Sequence, residues 1–398
     1  MEDSENSLSL CKILVLGIAQ IILWGGSYFL LSVLSSSIIL ETGWSNQMVY
    51  GCLSLSLFIA GLFLPEIGKL IQKSNQNLVL PNAGFIISVG LIIIGYSNSF
   101  LFFCTGWIII GIGMAMGLYD PLFATVGKKY GKKASKPIVW ITLISSLAPS
   151  VTWLFSNFLL NHFGWRNTCF IHAFILSATI YPIHRFVFKE NEIKPEIKNE
   201  VREVLPTDVY FNTKLFKLIL INFTIGAIIT TALIIHLMNI LSIKKIDLSV
   251  ILTAVAFLGP SQSFARIFEI ILGKKNAIEM SFISNFSMLA GLLLIMYGGK
   301  ATIAGVILFG IGNGLRSVLR GTLPLSIYGK ENFAIIIGRL GRLPMLAQAF
   351  APFIGGLIIE YWKSNSFLVI ITSLILLNTI VIIGIKKETL QLNLLTIK

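Results

Sequence analysis

Charge is what this sequence lacks. Only 12% of its 398 residues are charged, against 55% that are hydrophobic. A soluble domain carries about a quarter charged residues. So much apolar surface cannot be hidden from water in a chain of this size, because a large part of any folded surface faces solvent. Cysteine and histidine are scarce too, at four residues each. Cys11, Cys52, Cys104 and Cys169 are far apart in sequence, which excludes the close-spaced zinc and redox motifs and leaves them as small hydrophobes within helices. The histidines form no ligand cluster. A P-loop, an H-E-x-x-H helix and a G-x-S-x-G elbow are all missing. No metal site, cofactor or enzymatic activity is therefore expected.

Long apolar runs are what the sequence has, and mean hydropathy reaches +0.84. About 18 or more apolar residues in a row can span a bilayer. Twelve such spans read from the sequence: 12–39, 47–71, 78–98, 100–127, 137–161, 167–188, 214–241, 248–273, 277–298, 301–328, 332–359 and 365–385. The first is too long for a signal-peptide core and reads as the first membrane helix. The fold class is thus an all-α membrane protein with about 12 transmembrane helices.

Basic residues exceed acidic ones by 13. They sit in short loops between spans, so loop orientation explains them without a nucleic-acid partner. With the N-terminus inside, the cytoplasmic side holds Lys69, Lys73, Lys128, Lys129, Lys132, Lys133, Lys136, Arg185 through Lys217, Lys274, Lys275, Lys330, Lys386 and Lys387. The other side keeps Arg166, Lys244, Lys245, Lys300 and Lys363. This bias places both termini in the cytoplasm. The polar stretch 189–213 reads as a cytoplasmic linker with a surface-lying amphipathic segment. It separates an N-terminal half, 1–188, from a C-terminal half, 214–398.

The halves look like repeats. Gly90 through Tyr96 echoes Gly291 through Tyr297; Gly111-Ile112-Gly113 echoes Gly310-Ile311-Gly312; Tyr130-Gly131 echoes Tyr328-Gly329; Ala148-Pro149 echoes Ala351-Pro352. The separation stays close to half the chain, and a six-plus-six duplication is a signature of transporter folds.

On these features the chain resembles the major facilitator superfamily. Trp44-Ser45 after Gly43, followed by Gly61, Pro65, Gly68 and Lys69, resembles its second helix and the following loop, and Gly164-Trp165-Arg166 matches a triplet between its helices five and six. The Gly43-Trp44-Ser45 segment is similar to the bacterial monocarboxylate and oxalate/formate-like branch. Three departures stand out. Gln72 replaces the aspartate of the G-x-L-x-D-R-x-G-R/K loop, Trp107 replaces the helix-four arginine before Gly111, and Ala148-Pro149-Ser150 is a remnant of G-P-x-x-G-G, a pattern that Ala351 through Gly356 resembles instead. The resemblance implies a secondary transporter of the inner (cytoplasmic) membrane, monomeric, with a small solute bound between the halves and a proton as candidate coupling ion.

Charged side chains inside a bilayer are costly and so mark partners or pathways. Arg316 on span ten lies about 22 Å into its span by helical rise, deeper than an interfacial anchor. Spans one, four, seven and ten line the cavity in the resembled fold. Arg316 is therefore the candidate for gripping an anionic group in bidentate fashion, or else a member of a structural ion pair. Trp24 and Tyr28 share one face of span one and are candidate cavity walls, with Tyr119 and Asn313 completing the substrate-binding set. Candidate gating pairs are Asp120 with Arg339 or Arg342 on span eleven, all at one depth; the rival partners are Arg316 and Arg320 on span ten. Arg266 and Glu269, one turn apart, are expected to neutralise each other. His236 reads as a hydrogen-bonded helix-end residue or a proton sensor.

The leading reading is alternating-access transport of a small organic anion. Efflux of drug-like solutes, a polytopic membrane enzyme, and a non-transporting receptor or assembly factor stay open, since a fold alone does not decide function.

Overall fold

The computed structural model describes residues 8–73, 78–188, 211, 213–272 and 276–396. The predicted 189–213 linker, apart from Phe211 and Thr213, lies outside the described residues. All regular elements among the described residues are helices. Among the described residues, nine helical stretches are long and apolar enough to cross a membrane. Two of them turn sharply, at Gly164 (φ 77°, ψ 169°) and at Lys363 (φ 67°, ψ 164°). The 17-residue helix Val79–Gly95 adds one crossing. The expected twelve spans are therefore present, and the two sharp turns fall at equivalent places in the two halves.

Spans one and two are Leu10–Thr42 and Asn46–Lys73; spans three and four are Val79–Gly95 and Phe100–Tyr130; spans five and six run within Ser135–Phe188 on either side of Gly164. Spans seven to ten are Lys214–Ile243, Leu248–Leu272, Ala277–Tyr297 and Ala301–Tyr328, and spans eleven and twelve divide Phe333–Thr396 at Lys363. Buried apolar side chains form two clusters, one centred on the first six spans and one within the last six. Large apolar side chains also face outward, Leu154 at 77% exposure and Phe174 at 73%. Only lipid is a suitable solvent for that surface.

Two close approaches show the repeat in atomic detail. A Cβ at Gly90 would lie 2.6 Å from the Gly106 carbonyl oxygen, and one at Gly106 would lie 2.7 Å from that of Gly90. In the second half the same pair is Gly291 and Gly305, at 2.5 and 2.6 Å. Spans three and four, and nine and ten, thus touch backbone to backbone, as small residues permit in membranes.

The tryptophan triplets are corners. Gly43 ends span one in the left-handed region (φ 71°), and Trp44 lies over Phe100 and Phe103. Beyond Gly164, the Trp165 indole N–H donates to Glu41 (2.7 Å), while Arg166 donates to Glu41 (3.1 Å) and to the carbonyls of Gly95 and Ser97 (2.9 and 2.8 Å). Spans one, three and six are tied there. The structure also brings two cysteines together: Cys52 and Cys104 have sulfurs 3.3 Å apart.

The halves meet between spans two and eleven, four and ten, and five and eight. Ser146 bonds Ser263 at 2.7 Å, Phe58 meets Phe350 at 6.0 Å between centroids, and Asp120 pairs with Arg320. Gly68 of span two lies directly on the Ala334 carbonyl and Gly338 of span eleven.

Substituting Gly291→Val should destabilise the protein by about 2–3 kcal/mol, as overpacking does. The control Gly51→Val, with no atom within 4 Å of its Cβ, should leave melting unchanged. Thermal unfolding of the detergent-purified protein is the measurement; equal melting of both variants would contradict the reciprocal glycine contact.

Candidate functional site

Three spans of the first half are interrupted at one level. Span one is α-helical over Leu10–Trp24, widens to a π-helix over Gly25–Phe29, and resumes at Leu30. Span four stops at Gly117, passes through extended Leu118 (ψ −163°) and restarts at Tyr119. Span five stops at Ser145 and restarts at Ala148. Proline explains the last two. Pro121 and Pro149 have no N–H to give to the carbonyls of Gly117 and Ser145 four residues earlier. In a bilayer such a carbonyl needs another donor. Gln20 of span one supplies it, donating Nε2–H to the Gly117 oxygen at 2.8 Å.

The side chains at these breaks touch. Trp24 lies 5.1 Å from Tyr119 and 5.5 Å from Tyr28 between ring centroids. Tyr119 stacks on Phe123 at 5.3 Å, and its hydroxyl meets Ser145 Oγ at 2.7 Å. Across from this layer, Arg266 donates to Ser317 Oγ (2.8 Å). Irregular backbone at membrane depth is tolerated where it lines a cavity, and half-helix ends there face bound solutes and ions.

The buried charges are disposed differently from the sequence expectation. Asp120, 3% exposed, accepts from Arg320 Nη2 at 2.6 Å. Its partner is therefore on span ten, and the pairing expected with Arg339 or Arg342 is corrected. Equal depth does not set the face of a helix. Span eleven presents Gly341 to Asp120, where a Cβ would lie 2.8 Å from Oδ2. Arg339 instead lies 3.8 Å over the Phe211 ring, and Arg342 is exposed. The side chain of Glu269 lies outside the described residues.

Arg316 turns into the second half. Its Nη2 donates to the carbonyls of Asn222 and Phe223 (2.9 and 3.0 Å), and its guanidinium rests against Gly226 in space that any Cβ would take. Among the described residues no carboxylate lies within ion-pair distance of it. Beside it is a small polar cavity of about 10 Å³, lined by Asn222, Ser281, Ser284, Asn285 and Asn378 among others. A cavity of that size holds about one water. Trp24, Tyr28 and Tyr119 do not line that small cavity. Asn313 is half-buried on span ten, three residues before Arg316. His236 bonds the Pro352 carbonyl at 2.8 Å, the helix-contact alternative of its two readings.

Sequence reasoning missed Gln20, Ser145, Ser263 and the chain Asn222–Asn378–Asn285, whose amides join spans seven, twelve and nine at 3.0 and 2.9 Å. Pro121 was the available signal for Gln20, since it announces a carbonyl in need of a donor. Nothing local announces the asparagine chain, whose members are far apart in sequence.

The sequence profile of the Major Facilitator Superfamily matches residues 16–338. No curated protein matches the sequence. Among solved structures the chain is similar to the proton:xylose symporter XylE (TM-score 0.70, 12% identity, 93% of this chain and 94% of that one). It is similar to the E. coli fucose:proton symporter FucP (TM-score 0.70, 11% identity, 94% and 98%). A bacterial homologue of the iron transporter ferroportin, in an outward-facing state, is similar too (TM-score 0.68, 12% identity, 94% and 99%). At these identities the likeness is one of fold. The profile spans most of the chain and the multi-pass fold agrees with it: the chain belongs to the major facilitator superfamily, a family of membrane transporters rather than enzymes.

Proposed function

We propose that the chain carries a small organic anion across the cytoplasmic membrane by alternating access, with the solute held between the halves at the level of the interrupted helices. The observation that carries this reading is Arg316, a guanidinium in the membrane interior with no carboxylate partner among the described residues. An uncompensated charge there costs several kcal/mol, so an anion that arrives and leaves is a fitting counter-charge. The resemblance of the Gly43-Trp44-Ser45 segment to the monocarboxylate and oxalate/formate-like branch agrees with it.

In this reading the basic loops are cytoplasmic, and the contacts between the halves on that side form the cytoplasmic gate. Asp120–Arg320 holds that gate shut. A contact made in one state biases the equilibrium toward that state. Asp120 is also the buried carboxylate among the described residues, which makes a proton the proposed coupling ion.

Counterflow of labelled carboxylates in proteoliposomes tests the anion reading. Arg316→Ala should abolish it, and Arg316→Lys, which keeps charge but loses the planar fork, should reduce it at least tenfold. Wild-type flux in both variants would sink the assignment. For the gate, Asp120→Asn should shift the protein toward the inward-open form and slow turnover more than it weakens binding. The exchange Asp120→Arg with Arg320→Asp should restore part of the lost rate, whereas rescue by Arg339→Asp or Arg342→Asp would contradict the pairing. Cysteines engineered into 189–213 should react only from the cytoplasmic side; labelling from outside would invert the topology.

A further inference from the structure

Gln20 and Trp24 each bury a polar atom that has no hydrogen-bond partner among the described residues: Oε1 of the amide and Nε1 of the indole. The orientation of the amide is fixed. Its other atom, Nε2, donates to the Gly117 carbonyl, and a carbonyl only accepts, so Oε1 must be the free end. The indole nitrogen only donates. The two residues are four apart on one α-helix, Leu10–Trp24, which puts their Cβ atoms about 6 Å apart on one face. An orphan acceptor and an orphan donor therefore belong to side chains one helical turn apart on one face of span one. They are beside the break in span four, and Trp24 is in contact with Tyr28, Phe29 and Tyr119.

Each buried orphan is costly, and the cost is removed by one group that does both jobs. A carboxylate accepts from the indole but is repelled by Oε1. An ammonium donates to Oε1 but leaves the indole unsatisfied. A hydroxyl accepts from Trp24 and donates to Gln20. The surrounding rings offer an apolar wall to the carbon that bears it.

We propose that Gln20 and Trp24 form a hydroxyl-binding subsite of the transport pathway, so that the carried solute is a hydroxylated organic acid. This rests on the anion reading for the acid and on the orphan pair for the hydroxyl. A site built to hydrogen-bond a hydroxyl rejects the analogue lacking it, because its own buried groups are then left unpaired.

The experiment is counterflow in proteoliposomes with matched pairs, 2-hydroxybutanoate against butanoate and 3-hydroxybutanoate against butanoate. Wild type should favour one of the hydroxy acids by about tenfold, the worth of one buried hydrogen bond. Trp24→Phe keeps the ring and removes the N–H, and should bring the ratio to within about threefold, since the lost bond is worth about that factor or more. If Trp24→Phe does not fold, Gln20→Asn, which withdraws the amide by one methylene, is read on the same ratio. Equal transport of both members of each pair by wild type, or a preference untouched by the substitutions, would overturn the subsite and leave the orphan pair to an ordered water. If no acid moves but glycerol does, in a Trp24-dependent way, the anion reading fails and the hydroxyl subsite stands. If no solute with a hydroxyl is favoured, the subsite fails, whatever becomes of the anion.

Discussion

A carboxylate and a guanidinium, 2.6 Å apart, join the two halves through the interior of the bundle. The halves are built alike: Gly90 and Gly106 make in the first the contact that Gly291 and Gly305 make in the second. Asp120 and Arg320 lie on the corresponding spans four and ten but are not equivalent positions: Gly111 and Gly310 set the offset between those spans at 199 residues, so Arg320 falls one residue past the counterpart of Asp120. Each charge would be costly alone at that depth, and the two compensate each other across the halves.

Near that pair the backbone is broken, and each break has a local cause and a local remedy. Pro121 frees the Gly117 carbonyl and Gln20 satisfies it; Pro149 ends the helix at Ser145, whose hydroxyl then meets Tyr119. Lipid offers no hydrogen bonds, so such breaks survive only inside protein. The result is a polar, aromatic layer in the first half facing Arg266, Ser263 and Ser317 of the second. A rigid continuous helix would have offered only side chains at this depth. The breaks add backbone groups and the positive end of a half-helix.

The twelve spans and the repeat were legible because they rest on composition and on glycine spacing, which lipid burial dictates directly. Asp120 was legible as a charge in need of a partner, since depth follows from counting residues. Its partner was not, because the choice between Arg320 and Arg339 depends on which helix face is turned inward, and spans this uniformly apolar show no polar stripe to reveal it. Arg316 was legible by depth alone; that it rests on Gly226, among the asparagines of the second half, depends on contacts between residues far apart in sequence. Cys52 and Cys104, read as unrelated, meet for the same reason.

The departures from the family's loop motif have a structural counterpart in how spans two and eleven meet. Where other members carry an aspartate, Gln72 carries no charge, and where they carry an arginine, Trp107 is buried at 2% exposure. Close glycine contact joins spans two and eleven here. Gly61, Gly68 and Gly338 let their backbones come together, with Gly68 lying on the Ala334 carbonyl. The end of span two keeps one electrostatic cap: Lys128 donates to the carbonyls of Ile71 and Gln72, both at 2.8 Å, where a cation is favoured by the helix dipole. Close glycine contact is short-ranged and lost completely once the helices part, whereas ion pairs fall off slowly with distance. In the proposed gate, contact of this kind releases over a small movement. Asp120–Arg320, deeper in the bundle, adds a longer-ranged attraction between the halves.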